Sequence, residues 1–308
     1  MKILHLGLMV NNPLNGFQKA LIDVSDEYRE LPTGTSGFNN KALSLAHRFQ
    51  PNIIFIQIQQ ADVLNEYTAT ELSKIGFCIN FSGDVRAYLP EWYVTIGKII
   101  QLTTFNNLVD VERAREGGVN NSEYLELGFD PEIYKRWGIK RECPDIVAHF
   151  NDYGANRFPL SQYRLDIAYR LTVEFGDRFG VYGNFPNAKG NLNSDQIREA
   201  QQYNNCKIAI NCSHLNYTRY SSDRQLRIMG SGAFCLTHHY DGISMDYTPK
   251  RNLDTFHDLD EMVKKCHYYL KNDKIRQKIA DAGYEYVRRH FTFQNMAESI
   301  VELYERYK

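Results

Sequence analysis

The sequence predicts an α/β protein built from two doubly wound, Rossmann-like halves. Three observations carry this. Short apolar runs alternate with segments of helical spacing, the alternation breaks once near the middle, and it then restarts. Strands separated by helices imply crossover connections and parallel sheets. A chain of 308 residues is also long for one core and comfortable for two.

The first half opens with "KILHLGLM" (2–9), an apolar run read as a strand. It gives way to the polar, Gly-containing loop "VNNPLNG" (10–16). "FQKALIDVSDEY" (17–28) has helical spacing. "NIIFIQI" (52–58) follows Pro51 and is β-branched and apolar, the signature of a buried strand. "ADVLNEYTATELSKI" (61–75) reads as a helix and "GFCINF" (76–81) as a strand, followed by the loop "SGDVRAYLP" (82–90). "KIIQLTT" (98–104), the helix "NLVDVERAREGG" (107–118) and the strand "SEYLEL" (122–127) complete this half.

"GFDPEIYKRWGIKRECP" (128–144) is punctuated by Pro and Gly and mixed in charge, so the domain boundary is placed there. Beyond it come the strand "DIVAHF" (145–150), the loop "NDYGANRF" (151–158) and the helix "LSQYRLDIAYRLTVEF" (160–175). The strand "RFGVYG" (178–183), a Ser-capped helix "SDQIREAQQY" (194–203) and the strand "CKIAINCS" (206–213) follow. The helix "SDRQLRIMG" (222–230) then feeds the strand "AFCLTHH" (233–239). Three helical segments end the chain, "DLDEMVKKCHYYLKN", "DKIRQKIADAGYEYVRRHF" and "TFQNMAESIVELYERYK", each with an Asp or Thr start. The expected division is 1–135, 136–290, and a terminal helix 291–308 that packs back toward the first domain.

Apolar content of 43% and charged content of 24% are those of a soluble globular protein. A formal net charge of −1 gives no global basic field for nucleic acid or anionic membrane. The 21 tyrosines supply stacking faces and hydroxyls suited to sugar or base contacts, as well as ordinary packing. Six cysteines form no C-x-x-C pair and lie mostly in apolar runs, which argues against a zinc site or disulfide scaffold. No run has transmembrane length and no cleavable leader is evident, so a cytoplasmic protein is expected.

The stretch most suggestive of chemistry is "SDRQLRIMGSGAFCLT" (222–237). Ser221, Ser222 and Asp223 are N-cap residues. A helix N-terminus with its unpaired amides is an anion site, and Arg224 adds a guanidinium suited to phosphate. Gly230, Ser231 and Gly232 allow a tight turn into the next strand. An ordinary capped helix in an α/β unit has the same residues.

This stretch, followed by "DLDEMVKKCHYYLKNDKIRQKIADAGYEYVRRHFTF", resembles the C-terminal domain of GT-B glycosyltransferases, nearest to the spore-maturation-protein-like group. The likeness runs in order over about residues 205–295, and "YLELGFDPEIY" (124–134) is similar to the family's segment before the interdomain linker. The resemblance implies two Rossmann-like domains facing each other across a cleft. It implies transfer of a sugar from a nucleotide-sugar donor, as co-substrate, to a hydroxyl acceptor. By resemblance Arg224 matches the phosphate-contacting basic residue, and Ser222 and Asp223 match the helix N-terminus beneath the diphosphate. Gly154 matches the opposite wall, and Tyr182 and Gly183 the base-side strand end. Gly16, closing the first loop, would permit close backbone approach to donor or acceptor.

Arg227 departs from the pattern, where the family has a Glu that holds the donor ribose. A second such Glu, eight residues earlier, is Arg219 here. A carboxylate accepts from a diol, whereas Arg only donates. Arg227 is therefore either a donor contact of altered chemistry, the reading preferred here, or one half of a structural ion pair; lost activity is the third outcome.

An inverting transfer also needs a base, and Asp84 in "FSGDVR", after a strand and beside Arg86, is the candidate. His5 and His149 in strands read as core residues, and His238 and His239 close a strand. "DLD" (258–260) has the Asp-x-Asp form of metal-dependent transferases, but Asp258 is better read as a helix N-cap. No metal or cofactor is expected. Acceptor classes left open are glycan, protein, metabolite and a modified DNA base. The competing functions are a nucleotide- or sugar-binding protein with a degenerate site, and a sugar-nucleotide isomerase or epimerase.

Overall fold

The computed structural model describes residues 1–7, 16–154 and 158–308. In chain order the elements are β1 (Lys2–Gly7), α1 (Gly16–Asp23), β2 (Glu27–Pro32), α2 (Phe38–Phe49), β3 (Ile53–Ile56), α3 (Glu66–Ile75), β4 (Phe77–Ser82), α4 (Glu91–Ile99), β5 (Leu102–Phe105), α5 (Leu108–Glu116) and β6 (Ser122–Tyr124). They continue as β7 (Ile146–His149), α6 (Ser161–Phe175), β8 (Phe179–Tyr182), α7 (Gln196–Asn205), β9 (Ile208–Asn211), α8 (Asp223–Gly230), β10 (Phe234–His238), α9 (Ile243–Asp246), β11 (Asp254–Phe256), α10 (Leu259–Lys271), α11 (Asp273–His290) and α12 (Phe293–Tyr307).

The chain divides into two units, Met1–Gly128 with Phe293–Lys308, and Phe129–Thr292. Residues 129–135, assigned to the first domain from sequence, thus fold with the second. Tyr134 shows why: its ring is buried and its hydroxyl donates to Glu199 Oε2 at 2.8 Å. The terminal helix α12 belongs to the first unit, where Ile300 and Leu303 join a core with Ile3, Phe55 and Phe81.

Unit 1 holds a 6-stranded sheet of order β2-β1-β3-β4-β5-β6, with every paired neighbour parallel. Strand β3 is Ile-Ile-Phe-Ile and wholly buried, as a strand covered on both faces must be. The edge strand β2, "EYRELP", was missed from sequence: "SDEY" was read as the end of a helix. Its charged, half-exposed residues are those of an edge rather than a core strand. Helix α4 was missed as well, because its apolar C-terminus runs directly into "KIIQLTT"; the strand itself begins at Leu102.

Unit 2 holds a 5-stranded sheet of order β11-β10-β9-β7-β8, again parallel throughout. Its first strand, β7, has β8 on one side and β9 on the other. The winding reverses there, the position at which open α/β sheets place their ligands. The short β11 and α9 were not anticipated; each is only a few residues long. Helix α7 is capped by Asp195, whose side chain accepts from Arg198 N, rather than by Ser194. Among the described residues no helix is long and apolar enough to cross a membrane.

Candidate functional site

Two arginines stand at the carboxyl edge of β7 and β9, and among the described residues neither has a carboxylate oxygen within salt-bridge distance. Arg224, in the first turn of α8, donates from Nη1 to Asn211 Oδ1 and to the Cys212 carbonyl, both at 3.3 Å. Its guanidinium carbon stands 5.8 Å from the centroid of Phe150, the residue that follows β7. Arg164, on α6, lies 4.4 Å from that centroid and is completely buried. One of its nitrogens, Nη1, meets His214 Nε2. Among the described residues its Nε and Nη2 have no hydrogen-bond partner. Burial first, and then the charge of Arg224, push the Arg164 guanidinium down to about 9, so at neutral pH it remains a cation.

Arg164 was not picked out from sequence, although a signal was there. The buried residues of α6 include Arg164, Ile167, Ala168, Leu171 and Phe175, so Arg164 sits at helical spacing on the stripe that faces the core. An Arg on such a stripe requires compensation.

The start of α8 adds a partial positive charge to the same place. Ser222 is its N-cap by position, but its hydroxyl donates to Asn211 Oδ1 at 3.2 Å and makes no capping bond. Asp223 Oδ1 accepts from the Arg224 amide at 2.8 Å. At the other end Gly232 has φ +83, and a Cβ there would lie 2.5 Å from Arg136 Nε. The small-residue turn read from sequence is thus sterically required.

The opposite wall is held by the loops after β7 and β8. Gly183 has φ +106, and a Cβ would fall 2.3 Å from the Phe150 carbonyl oxygen, so only glycine lets these loops approach. Asn151 Oδ1 accepts from Asn184 N at 3.0 Å and from Asn193 Nδ2 at 2.8 Å. Gly154 donates to Asp152 Oδ1 at 2.8 Å and has open space around it. The half-buried Tyr182 ring stacks on His149, with centroids 5.4 Å apart.

Arg227, expected among the donor contacts, points elsewhere. Its Nη2 lies 2.7 Å from Asp223 Oδ2 and its Nη1 3.6 Å from Glu199 Oε2. Glu199, on α7, is itself buried and accepts from Tyr134 and Tyr203 at 2.8 and 3.2 Å. Burial would lower the Arg227 guanidinium, but Asp223, then Tyr134 and Glu199, hold it above its ordinary value. Burial would likewise raise Asp223, yet Arg227, Arg224 and the Arg224 amide keep it below the usual carboxylate range. The altered donor contact preferred from sequence therefore gives way to the structural ion pair. Arg219 is also taken up, by a two-pronged pair with Asp246 at 2.9 and 2.8 Å.

His149 and His238 are neutral packing residues. His149 Nε2 donates to Gln202 Oε1, 2.6 Å away, and burial pushes the ring down to about 4. His238 is pushed to about 4 by burial and by His239 and His257. Asp258 caps α10, accepting from Glu261 N at 2.8 Å, and Asp260 pairs with Arg170 at 3.0 Å. In unit 1, Asp84 follows β4 at the carboxyl edge of the sheet with 69% of its side chain exposed. Arg86 braces that loop, donating to Ser82 Oγ, the Asp84 carbonyl and Gln59, and approaches Asp84 Oδ2 only to 4.0 Å. Gly16 opens α1, and the loop 11–15 before it lies outside the described residues.

Residues 165–302 match a protein-family model described as glycosyl transferase-like. No curated protein matches the chain. Among solved structures, Anabaena Alr3699/HepE in complex with UDP and glucose superposes with a TM-score of 0.66 at 12% identity, over 99% of this chain and 100% of that one. A glycosyltransferase from Rickettsia africae gives 0.67 at 11% identity, over 99% and 98%. Sucrose-phosphate synthase from Thermosynechococcus elongatus gives 0.63 at 9% identity, over 99% and 98%. The two parallel sheets with alternating helices, shared over nearly the whole length of these proteins, identify the fold of this chain as GT-B.

Proposed function

We propose that the protein is a glycosyltransferase that moves a sugar from a nucleoside-diphosphate sugar to a hydroxyl acceptor. The observation that carries this is the pair Arg164 and Arg224 at the carboxyl edge of β7 and β9, beside the start of α8, with Nε and Nη2 of the buried Arg164 unpartnered among the described residues. A buried guanidinium lacking an anion costs several kcal/mol. A diphosphate supplies the missing charge, and as leaving group it gains most from these cations as the glycosidic bond breaks. The same cations provide the neutralisation that a metal ion provides in other transferases, so the reading is metal-independent. The family match over residues 165–302 and the UDP and UDP-glucose complexes of the Anabaena neighbour support the donor class.

In this reading Ser222, Asp223 and Arg224 meet the diphosphate, while Gly154, Tyr182 and Gly183 form the base-side wall. Asp84, exposed at the carboxyl edge of the unit 1 sheet, takes the acceptor proton if the transfer inverts. A second reading, a nucleotide-binding protein without turnover, is favoured by the capture of Arg219 and Arg227 in ion pairs. A panel of UDP-, GDP- and ADP-sugars, read by thermal shift and by release of free nucleoside diphosphate with an acceptor mixture, separates the two. Stabilisation with release supports the enzyme. Stabilisation by a nucleotide with no release across all acceptors supports the binding protein.

A further inference from the structure

Unit 1 carries a cavity of about 600 Å³ between the starts of α3 and α4, which follow β3 and β4. Leu64 and Ile96 are buried core residues, and with the half-buried Trp92 they give it an apolar floor. Trp92 is backed by Tyr93, ring to ring at 3.9 Å, so its position is fixed. Asp62, Glu66 and Glu91 stand around this floor with Thr95, and among the described residues no Lys, Arg or His lines it. Glu66 and Glu91 suit the first turns of their helices. Asp62 has no such role: it lies in the loop before α3, with a left-handed backbone at φ +64.

An indole over aliphatic carbon, with hydroxyl acceptors on the rim, matches the two faces of a sugar ring. Its C–H face packs on the aromatic, and its hydroxyls donate to carboxylates. Three carboxylates without a lining cation repel phosphate and carboxylate groups. We infer that this cavity binds a saccharide bearing no phosphate or carboxylate, with Trp92 as platform and Asp62, Glu66 and Glu91 as hydroxyl acceptors. Its role as the acceptor subsite rests on the glycosyltransferase reading; the binding itself does not. The same charge pattern disfavours a DNA acceptor at this place.

The chain has two tryptophans, Trp92 and Trp137, so a Trp137→Phe variant leaves Trp92 as the sole tryptophan, read by exciting to the red of tyrosine absorption. It is titrated with methyl glucoside, glucosamine, glucose 6-phosphate and glucuronate up to their solubility, with and without UDP. Calorimetric titration of UDP on the same protein reports unit 2 separately. Saturable emission changes are expected with methyl glucoside and glucosamine, at least 10-fold weaker ones with the two anions, and reversal of that order in an Asp62→Lys/Glu91→Lys variant. Absence of any saturable change, or glucose 6-phosphate binding as tightly as methyl glucoside, overturns the inference. If UDP binds normally in that case, only the saccharide site has failed. If UDP does not bind while saccharides do, the donor reading fails and the saccharide site stands.

Discussion

Replacing Arg164 by Met is the sharpest test of the anion site, because the site and the fold respond in opposite directions. Arg164 is completely buried, and burial followed by Arg224 pushes it more than three pKa units below its ordinary value, down to about 9. At about 1.36 kcal/mol per pKa unit, this places on the order of 5 kcal/mol against the charged form when no anion is bound. The stacking on Phe150 at 4.4 Å returns about 1–2 kcal/mol, and the contact with His214 about 1 kcal/mol. Methionine keeps most of the stem volume and removes the charge. Arg164→Met is therefore expected to stabilise the nucleotide-free protein by about 2 kcal/mol, a rise in Tm of roughly 4–8 °C. Its affinity for UDP should fall at least ~10-fold, as expected for a lost charge-assisted contact. Arg224→Ala, on a half-buried residue, should weaken UDP by a similar factor with little change in Tm. Differential scanning fluorimetry and isothermal titration calorimetry read the two quantities. A fall in Tm for Arg164→Met together with unchanged UDP affinity would refute the reasoning and make Arg164 a structural residue.

Two further outcomes are expected. Arg227→Glu, which introduces the residue type of the resembled family, should lower stability by about 3 kcal/mol in urea unfolding, since it sets a carboxylate against Asp223 and the buried Glu199; an unchanged midpoint would contradict the pairing. His5 and His149 are both pushed to about 4 by burial, so between pH 6.5 and 4 the unfolded chain binds protons that the folded chain does not. Stability is then full above pH 6.5 and falls by up to about 3 kcal/mol per histidine as pH drops to 4; a flat unfolding profile over that window would show that these rings are not buried neutral.

The fold was legible because its central strands are unmixed. Ile53–Ile56 and Ile208–Asn211 are short apolar runs between helical segments, and burial on both faces demands such runs. The edge strand β2 was not legible because one side of it meets water, and its Glu, Arg and Tyr residues carry no core signal. In the site, the α8 start and the Gly183 and Gly232 turns were readable, since glycine and capping residues report backbone geometry directly. Arg164 and Glu199 were passed over for the opposite reason: each is a charged residue in an amphipathic helix, where the default position is the solvent face. Their spacing contradicts that default. Glu199 and Tyr203 are one turn apart on the buried side of α7, as Arg164 and Ala168 are on α6. Partners from distant segments, Tyr134 for Glu199 and Phe150 for Arg164, satisfy or surround them, and sequence spacing does not reveal such partners.

The same network changes what Arg227 means. Viewed alone, a guanidinium where the resembled family holds a carboxylate suggests a damaged site. In the structure two carboxylates flank it: Asp223, one turn earlier on α8, and Glu199, on the neighbouring α7, lie on either side of the guanidinium. Asp223 keeps half of its side-chain surface exposed and is held ionised by Arg227 and Arg224. It is thus an ionised, half-exposed carboxylate beside Arg224 at the start of α8. The charge of Arg227 is spent on Asp223 and Glu199 inside unit 2. Arg227→Glu would remove the clamp on Asp223 and set a new carboxylate between two existing ones, so the ionised state of Asp223 depends on the pair and not on either residue.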